Sequence, residues 1–226
     1  MSTAEKPQEK KEEKKPVAPD QERTFWYTLA RIVAFLGTHT IFPVKYYHKE
    51  NFLLPGPYIA MSNHQSACDP LILAYPCKKY EIRFVGKKEL NKYPIIAKLL
   101  AKLHMITVDR HNSDMAAMRQ CARTLRDGYV LGIFPEGTRH HSDQLMEEVE
   151  TGAAVLALRA KTPILPVYIE SKPRFLRVNH VYIGKPMNIT DLSAQGFNTE
   201  VVEELCARIR DTFHALRDEN EQRKKK

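Results

Sequence analysis

The sequence predicts an α/β fold, a mostly parallel central sheet flanked by helices. Three observations point there. Short runs rich in Ile, Val, Tyr and Phe alternate with stretches of helical period, as strand–helix units do. Pro and Gly punctuate the boundaries between them. Polar residues cluster just after several of the runs, at the strand ends where α/β sheets hold ligands.

The elements follow in order. Residues 1–22 are rich in Lys, Glu and Pro and nearly devoid of apolar side chains, so a disordered charged tail is expected. Residues 24–44, TFWYTLARIVAFLGTHTIFPV, then carry Arg31 as their only fully charged side chain; Phe25, Trp26 and Tyr27 open the segment and Tyr46 and Tyr47 follow it. Aromatic side chains at both ends of an apolar stretch suit an amphipathic helical segment docked in a membrane interface, and residues 23–50 are assigned to it. A helix packed on the domain accounts for the same residues. Arg31, Gly37, His39 and Pro43 make a spanning helix a poor fit.

A globular domain is assigned to 51–220 and a basic tail to 221–226. Within the domain, strands are expected at 58–62, 82–86, 104–109, 129–134, 163–170 and 178–184. Helices are expected after Pro70, around 98–103, over 113–128, 151–160 and 199–217, with Ser113 capping and Gly128 stopping the third.

Composition narrows the function. The 226 residues are 43% hydrophobic and 27% charged, the proportions of a soluble globular chain. The absence of any 18-residue uncharged apolar run excludes a multi-spanning membrane protein. No apolar stretch follows a short basic segment at the start, so a secretory signal is not expected. Cys68, Cys77, Cys121 and Cys206 form no CxxC pair, which argues against structural zinc and for reduced thiols in a cytosolic setting. The net charge is +8, and residues 78–127 hold twelve Lys/Arg against five Asp/Glu. Such a field suits a phosphorylated substrate, an acidic carrier protein, an anionic lipid surface or nucleic acid, or is the solvated face of two helices. No nucleic-acid-binding motif accompanies it.

Four strand ends carry chemistry-bearing residues. After 58–62 come Asn63-His64-Gln65-Ser66-Ala67-Cys68-Asp69-Pro70. On one regular helix His64 and Asp69 would point about 140° apart, so they meet only across a turn. Pro70 favours such a turn by biasing Asp69 out of the helical region. Asp69 then either orients His64 as a base or caps the helix that begins at Pro70. The other ends carry Lys87-Lys88-Glu89, Asp109-Arg110 and Phe134-Pro135-Glu136-Gly137-Thr138-Arg139. Gly137 allows close backbone approach to a ligand, and Arg139 can fork onto a phosphate. In a parallel sheet all four sets gather at one edge.

The ordered set Asn-His-x4-Asp, Asp109-Arg110, FPEGTR (134–139) and PILPV (163–167) resembles the glycerolipid acyltransferase superfamily, in particular its bacterial 1-acylglycerol-3-phosphate acyltransferases. The likeness covers about residues 55–185. One departure is acidic: Glu147, Glu148 and Glu150 stand before Gly152-Ala153, where family members often carry basic residues. The resemblance makes 51–220 an acyltransferase domain. It implies transfer of a fatty acyl group from acyl carrier protein or coenzyme A to the sn-2 hydroxyl of lysophosphatidic acid, giving phosphatidic acid in phospholipid biosynthesis. His64 is then the base and Asp69 its partner. Lys87, Arg110, Glu136, Gly137, Thr138 and Arg139 bind substrate, with backbone N–H groups near Gly137 as oxyanion donors. The chemistry requires neither metal nor cofactor. Amphiphilic substrates imply a peripheral or monotopic enzyme on the cytoplasmic face of the cell membrane. Glycerol 3-phosphate or another lysophospholipid as acceptor stays open, as do thioester hydrolysis and non-catalytic lipid binding.

Overall fold

The computed structural model describes residues 24–109, 114–137, 145–146 and 149–225. The expected tail over 1–22 and the Ser113 cap lie outside the described residues.

Seven strands form one sheet: β1 (Val44–Tyr47), β2 (Ile59–Ser62), β3 (Ile82–Lys87), β4 (Ile106–Val108), β5 (Val130–Ile133), β6 (Ile164–Ile169) and β7 (Asn179–Ile183), in the order β1-β7-β6-β2-β5-β3-β4. The pairs β6–β2, β2–β5, β5–β3 and β3–β4 are parallel, while β7 runs antiparallel to β6 and parallel to β1. The expected mostly parallel sheet is present.

Both faces of this sheet are covered, so the central strands are buried on every residue rather than on alternate ones. Ile59, Met61, Leu131 and Ile133 meet a core built with α4 (Met115–Arg126), α5 (Thr151–Ala160) and α7 (Thr199–Lys224). Tyr58, Ala60, Val130 and Phe134 point the other way, toward α1 (Phe25–Leu36) and α2 (Asp69–Ala74). Gly132 sits between these layers, where a Cβ would strike the Phe84 ring. Two further helices complete the chain, α3 (Pro94–Lys102) and α6 (Thr190–Ala194).

Local chemistry sets the boundaries. Asp114 caps α4 by accepting from Ala117 N–H at 2.9 Å. Asn198 caps α7 in the same way, from Val201 N–H at 2.8 Å. Two segment boundaries differ from the sequence reading. Tyr46 and Tyr47 are not flanking anchors but part of β1, hydrogen-bonded to β7. Helix α7 continues through Glu221–Lys224 because its last turn finds partners: Arg223 Nε donates to Tyr182 Oη at 2.7 Å and Lys224 Nζ pairs with Glu170 at 3.0 Å.

The apolar N-terminal segment is helical through Leu36 and continues as a wider π-type turn over Gly37–Ile41. Tyr27 is buried, accepting from Ile82 N–H at 3.1 Å and donating to Tyr80 O at 3.4 Å. Phe25, Ile32, Val33, Phe35 and Leu36 remain exposed. Among the described residues no helix is long and apolar enough to cross a membrane.

Candidate active site

The site grows from the end of β2. Asn63 continues that strand with its side chain: Nδ2 donates to Ile169 O at 2.9 Å and Oδ1 accepts from Ile169 N–H at 2.8 Å. This substitute for ladder pairing locks the chain to β6 just as it turns. His64 then enters a loop that folds back on Asp69. His64 Nδ1 stands 2.8 Å from Asp69 Oδ2, which also accepts from the backbone N–H groups of Gln65 at 2.6 Å and Ser66 at 2.7 Å. Ser66 Oγ donates to Oδ1 at 3.0 Å.

Asp69 is fully buried, so the loop supplies the bonds that water would otherwise give its carboxylate. It opens α2, yet its side chain turns back onto the loop and the imidazole, which separates orientation of His64 from simple capping. A carboxylate on Nδ1 assigns the ring proton there and leaves Nε2 to act as the proton acceptor. The imidazole also stacks on Phe134, with ring centroids 4.3 Å apart and an interplanar angle of 26°.

The FPEGT segment follows β5, the parallel neighbour of β2. Glu136 is 5% exposed, and its carboxylate bridges two loops: Oε2 accepts from His64 N–H at 2.8 Å and Oε1 from Met146 N–H at 3.0 Å. Glu136 therefore holds the His64 backbone. Gly137 has φ +68°, and a Cβ there would meet Glu150 Oε1 at 2.5 Å, so both conformation and space favour glycine. Its own N–H donates to Phe134 O at 3.2 Å and so belongs to the turn.

The expected gathering of strand ends is present, since β2, β3, β4 and β5 are mutually parallel. The structure brings His64, Asp69 and Glu136 into direct contact. Lys87 is exposed at the end of β3, with β5 between β3 and β2. Arg110, Thr138 and Arg139 lie outside the described residues. Asn63, Ser66 and Phe134 hold the site without having been assigned roles. Phe134 carried a signal, being in phase with Val130 on a strand running straight into the motif.

A cavity of about 460 Å³ opens beside Phe134, between the sheet and helices α4 and α5. Val85, Met118, Cys121, Ile133 and Leu156 make it largely apolar, and Asp109, Asp114 and Glu150 bring carboxylates. Burial pushes the Cys121 thiol up to about 12. Among the described residues no three His, Cys, Asp or Glu side chains converge as a metal site requires.

A family model described as Acyltransferase matches residues 43–170, more than half of the chain and the whole of this constellation. The chain belongs to the acyltransferase family. Two bacterial relatives resemble it over about three quarters of their length. The 1-acyl-sn-glycerol-3-phosphate acyltransferase of Bacillus subtilis is 29% identical over 155 residues, 66% of this chain and 76% of the relative. That of Streptococcus pneumoniae is 29% identical over 208 residues, 87% of this chain and 75% of the relative. Among solved structures, the 1-acyl-sn-glycerophosphate (LPA) acyltransferase PlsC of Thermotoga maritima superposes with a TM-score of 0.63 at 22% identity, covering 88% of this chain and 80% of that one. This acyltransferase shares that fold.

Proposed function

We propose that this protein transfers a fatty acyl group from an acyl thioester to the sn-2 hydroxyl of lysophosphatidic acid, giving phosphatidic acid. The observation that carries the reading is the 2.8 Å contact between His64 Nδ1 and a fully buried Asp69 at the edge of a parallel sheet. The names of the relatives that span most of this chain supply the substrate class.

In this reading the acceptor hydroxyl gives its proton to His64 Nε2 as its oxygen attacks the thioester carbonyl. The tetrahedral intermediate collapses with cleavage of the C–S bond. The departing thiolate takes the proton back from the imidazolium, which Asp69 stabilises meanwhile. No acyl-enzyme forms. The apolar cavity beside Phe134 suits the acyl chain, and Lys87, Arg110, Thr138 and Arg139 are assigned to the phosphate end of the substrates. Glu136 keeps the His64 backbone in place.

The enzyme works as a peripheral or monotopic protein on the cytoplasmic face of the membrane. Helix α1 supports this by leaving Ile32, Val33 and Leu36 about half exposed. The adjoining loop adds exposed Phe175 and Leu176, held to α1's continuation by Leu176 N–H donating to Ile41 O at 2.8 Å.

The test assays purified protein with lysophosphatidic acid, glycerol 3-phosphate and a phosphate-free lysolipid, each with acyl carrier protein and coenzyme A thioesters. Phosphatidic acid from lysophosphatidic acid is the expected product. Free fatty acid at equal rates with and without acceptor would make the protein a thioesterase instead.

A further inference from the structure

We propose that α3 is a second bilayer-contacting helix that binds anionic phospholipid surfaces beside α1. A helix crossing between two parallel strands normally buries its apolar stripe against the sheet. Helix α3 links β3 to β4, yet none of its residues is buried. Ile95 is 84% exposed, and Tyr93, Ile96 and Leu99 are also exposed.

The charge around this stripe selects the occupant. The segment PIIAKLLAK contains two lysines and no acid, and Lys92 stands just before it. Lysines can lay their stems along apolar surface and lift their ammonium groups to phosphate level. A two-fold pairing with a second copy would set these lysines against each other, which disfavours self-association. An acidic carrier protein matches the charge, but the stripe led by Ile95 at 84% exposure is the apolar surface that a bilayer covers.

The two exposed helices are joined at one end. Lys102 Nζ sits over the Trp26 ring at 3.8 Å. His104 Nδ1 stands 3.1 Å from Glu81 Oε1, and the other oxygen of that buried carboxylate faces Thr24 N and Oγ1 at 3.5 Å. Helix α3 is joined in the chain to β3 and β4, which give Val85 and Val108 to the cavity wall.

The inference rests on the reading that the enzyme meets its acceptor at a lipid surface, and vesicle binding tests it apart from turnover. Flotation is measured with vesicles of phosphatidylcholine alone and with phosphatidylglycerol added. The pair Ile95→Ser/Leu99→Ser should keep the wild-type melting curve, since both side chains are exposed, and lose about tenfold or more in affinity for the phosphatidylglycerol vesicles. In a Trp26→Phe background, Ile95→Trp should shift its emission to the blue and be quenched by brominated acyl chains. Wild-type binding by the serine pair, or an unquenched Trp, would overturn the proposal. So would intact vesicle binding with a raised KM for acyl carrier protein, which would make α3 the donor's dock. If Ile32→Ser/Leu36→Ser on α1 also bound like wild type, the membrane reading itself would fall.

Discussion

Replacing His64 by Ala removes the group that would take the hydroxyl proton, and a general base typically contributes 10²–10⁴-fold. We expect kcat to fall by about that factor in a protein that stays folded but melts somewhat lower, because the ring stacks on Phe134 and supplies one hydrogen bond to the buried Asp69. Asp69→Asn should lose comparable activity and also about 1–3 kcal/mol of stability, since its carboxylate accepts four hydrogen bonds within the loop. Activity assays and denaturant melts check both, and a folded His64→Ala enzyme retaining most of its turnover would sink the mechanism. The cysteines give an independent probe of the cavity. Burial raises the Cys121 pKa to about 12 and also raises that of Cys206, so neither carries appreciable thiolate at pH 7, whereas Cys68 is partly exposed. Maleimide labelling read by mass spectrometry should modify Cys68 first. Cys121 should label faster by roughly tenfold for each unit of pH below its pKa. Early, pH-independent labelling of Cys121 would contradict the buried wall.

Among elements, α7 shows most directly what sequence periodicity leaves out. Its amphipathic stripe is legible to Leu216, but its last turn is held by Arg223 on Tyr182 and Lys224 on Glu170, contacts between residues more than 40 positions apart. Burial pushes Glu170 up, while the hydrogen bond and charge of Lys224 pull it down further, so the carboxyl rests below the usual glutamate range. A carboxyl lowered in the folded state adds stability above its unfolded pKa and loses it as pH falls through the folded value. Lys224→Ala should therefore melt lower than wild type at neutral pH, with the gap closing in acid below the ordinary glutamate pKa. Thermal melts across that range test it, and a gap that is independent of pH would mean that α7 is held by packing alone. Helix α5, by contrast, spans residues 151–160 just as its sequence predicts, because a run rich in Ala and Leu has a helical preference of its own and needs no distant partner.

For the whole molecule, the N-terminal segment is both surface and structure. Tyr27 is buried under α2's layer and β1 pairs with β7, so deleting the segment would strip an edge strand and open the core. Surface substitution is the cleaner test. Ile32→Ser/Leu36→Ser should lower vesicle binding and acylation of bilayer-embedded lysophosphatidic acid several-fold. The rate on a short-chain acceptor dissolved below its micellar concentration should stay near wild type. Equal losses on both acceptors would show that this face of α1 serves the fold.

The sequence by itself determined the α/β class and placed four polar sets at strand ends, because strand alternation and motif spacing are local properties of the chain. The spacing left Asp69 either beside His64 or capping α2. Helical geometry allowed the two to meet only across a turn. Tertiary structure alone decided how the pair is held. Asn63 reaches Ile169, 106 positions away, and Glu136 reaches the His64 backbone across 72. Neither link has a local signature, since a buried polar side chain takes whichever partner the packed neighbours leave unpaired. The same holds for β1, whose four residues become a strand because β7 offers them an open edge.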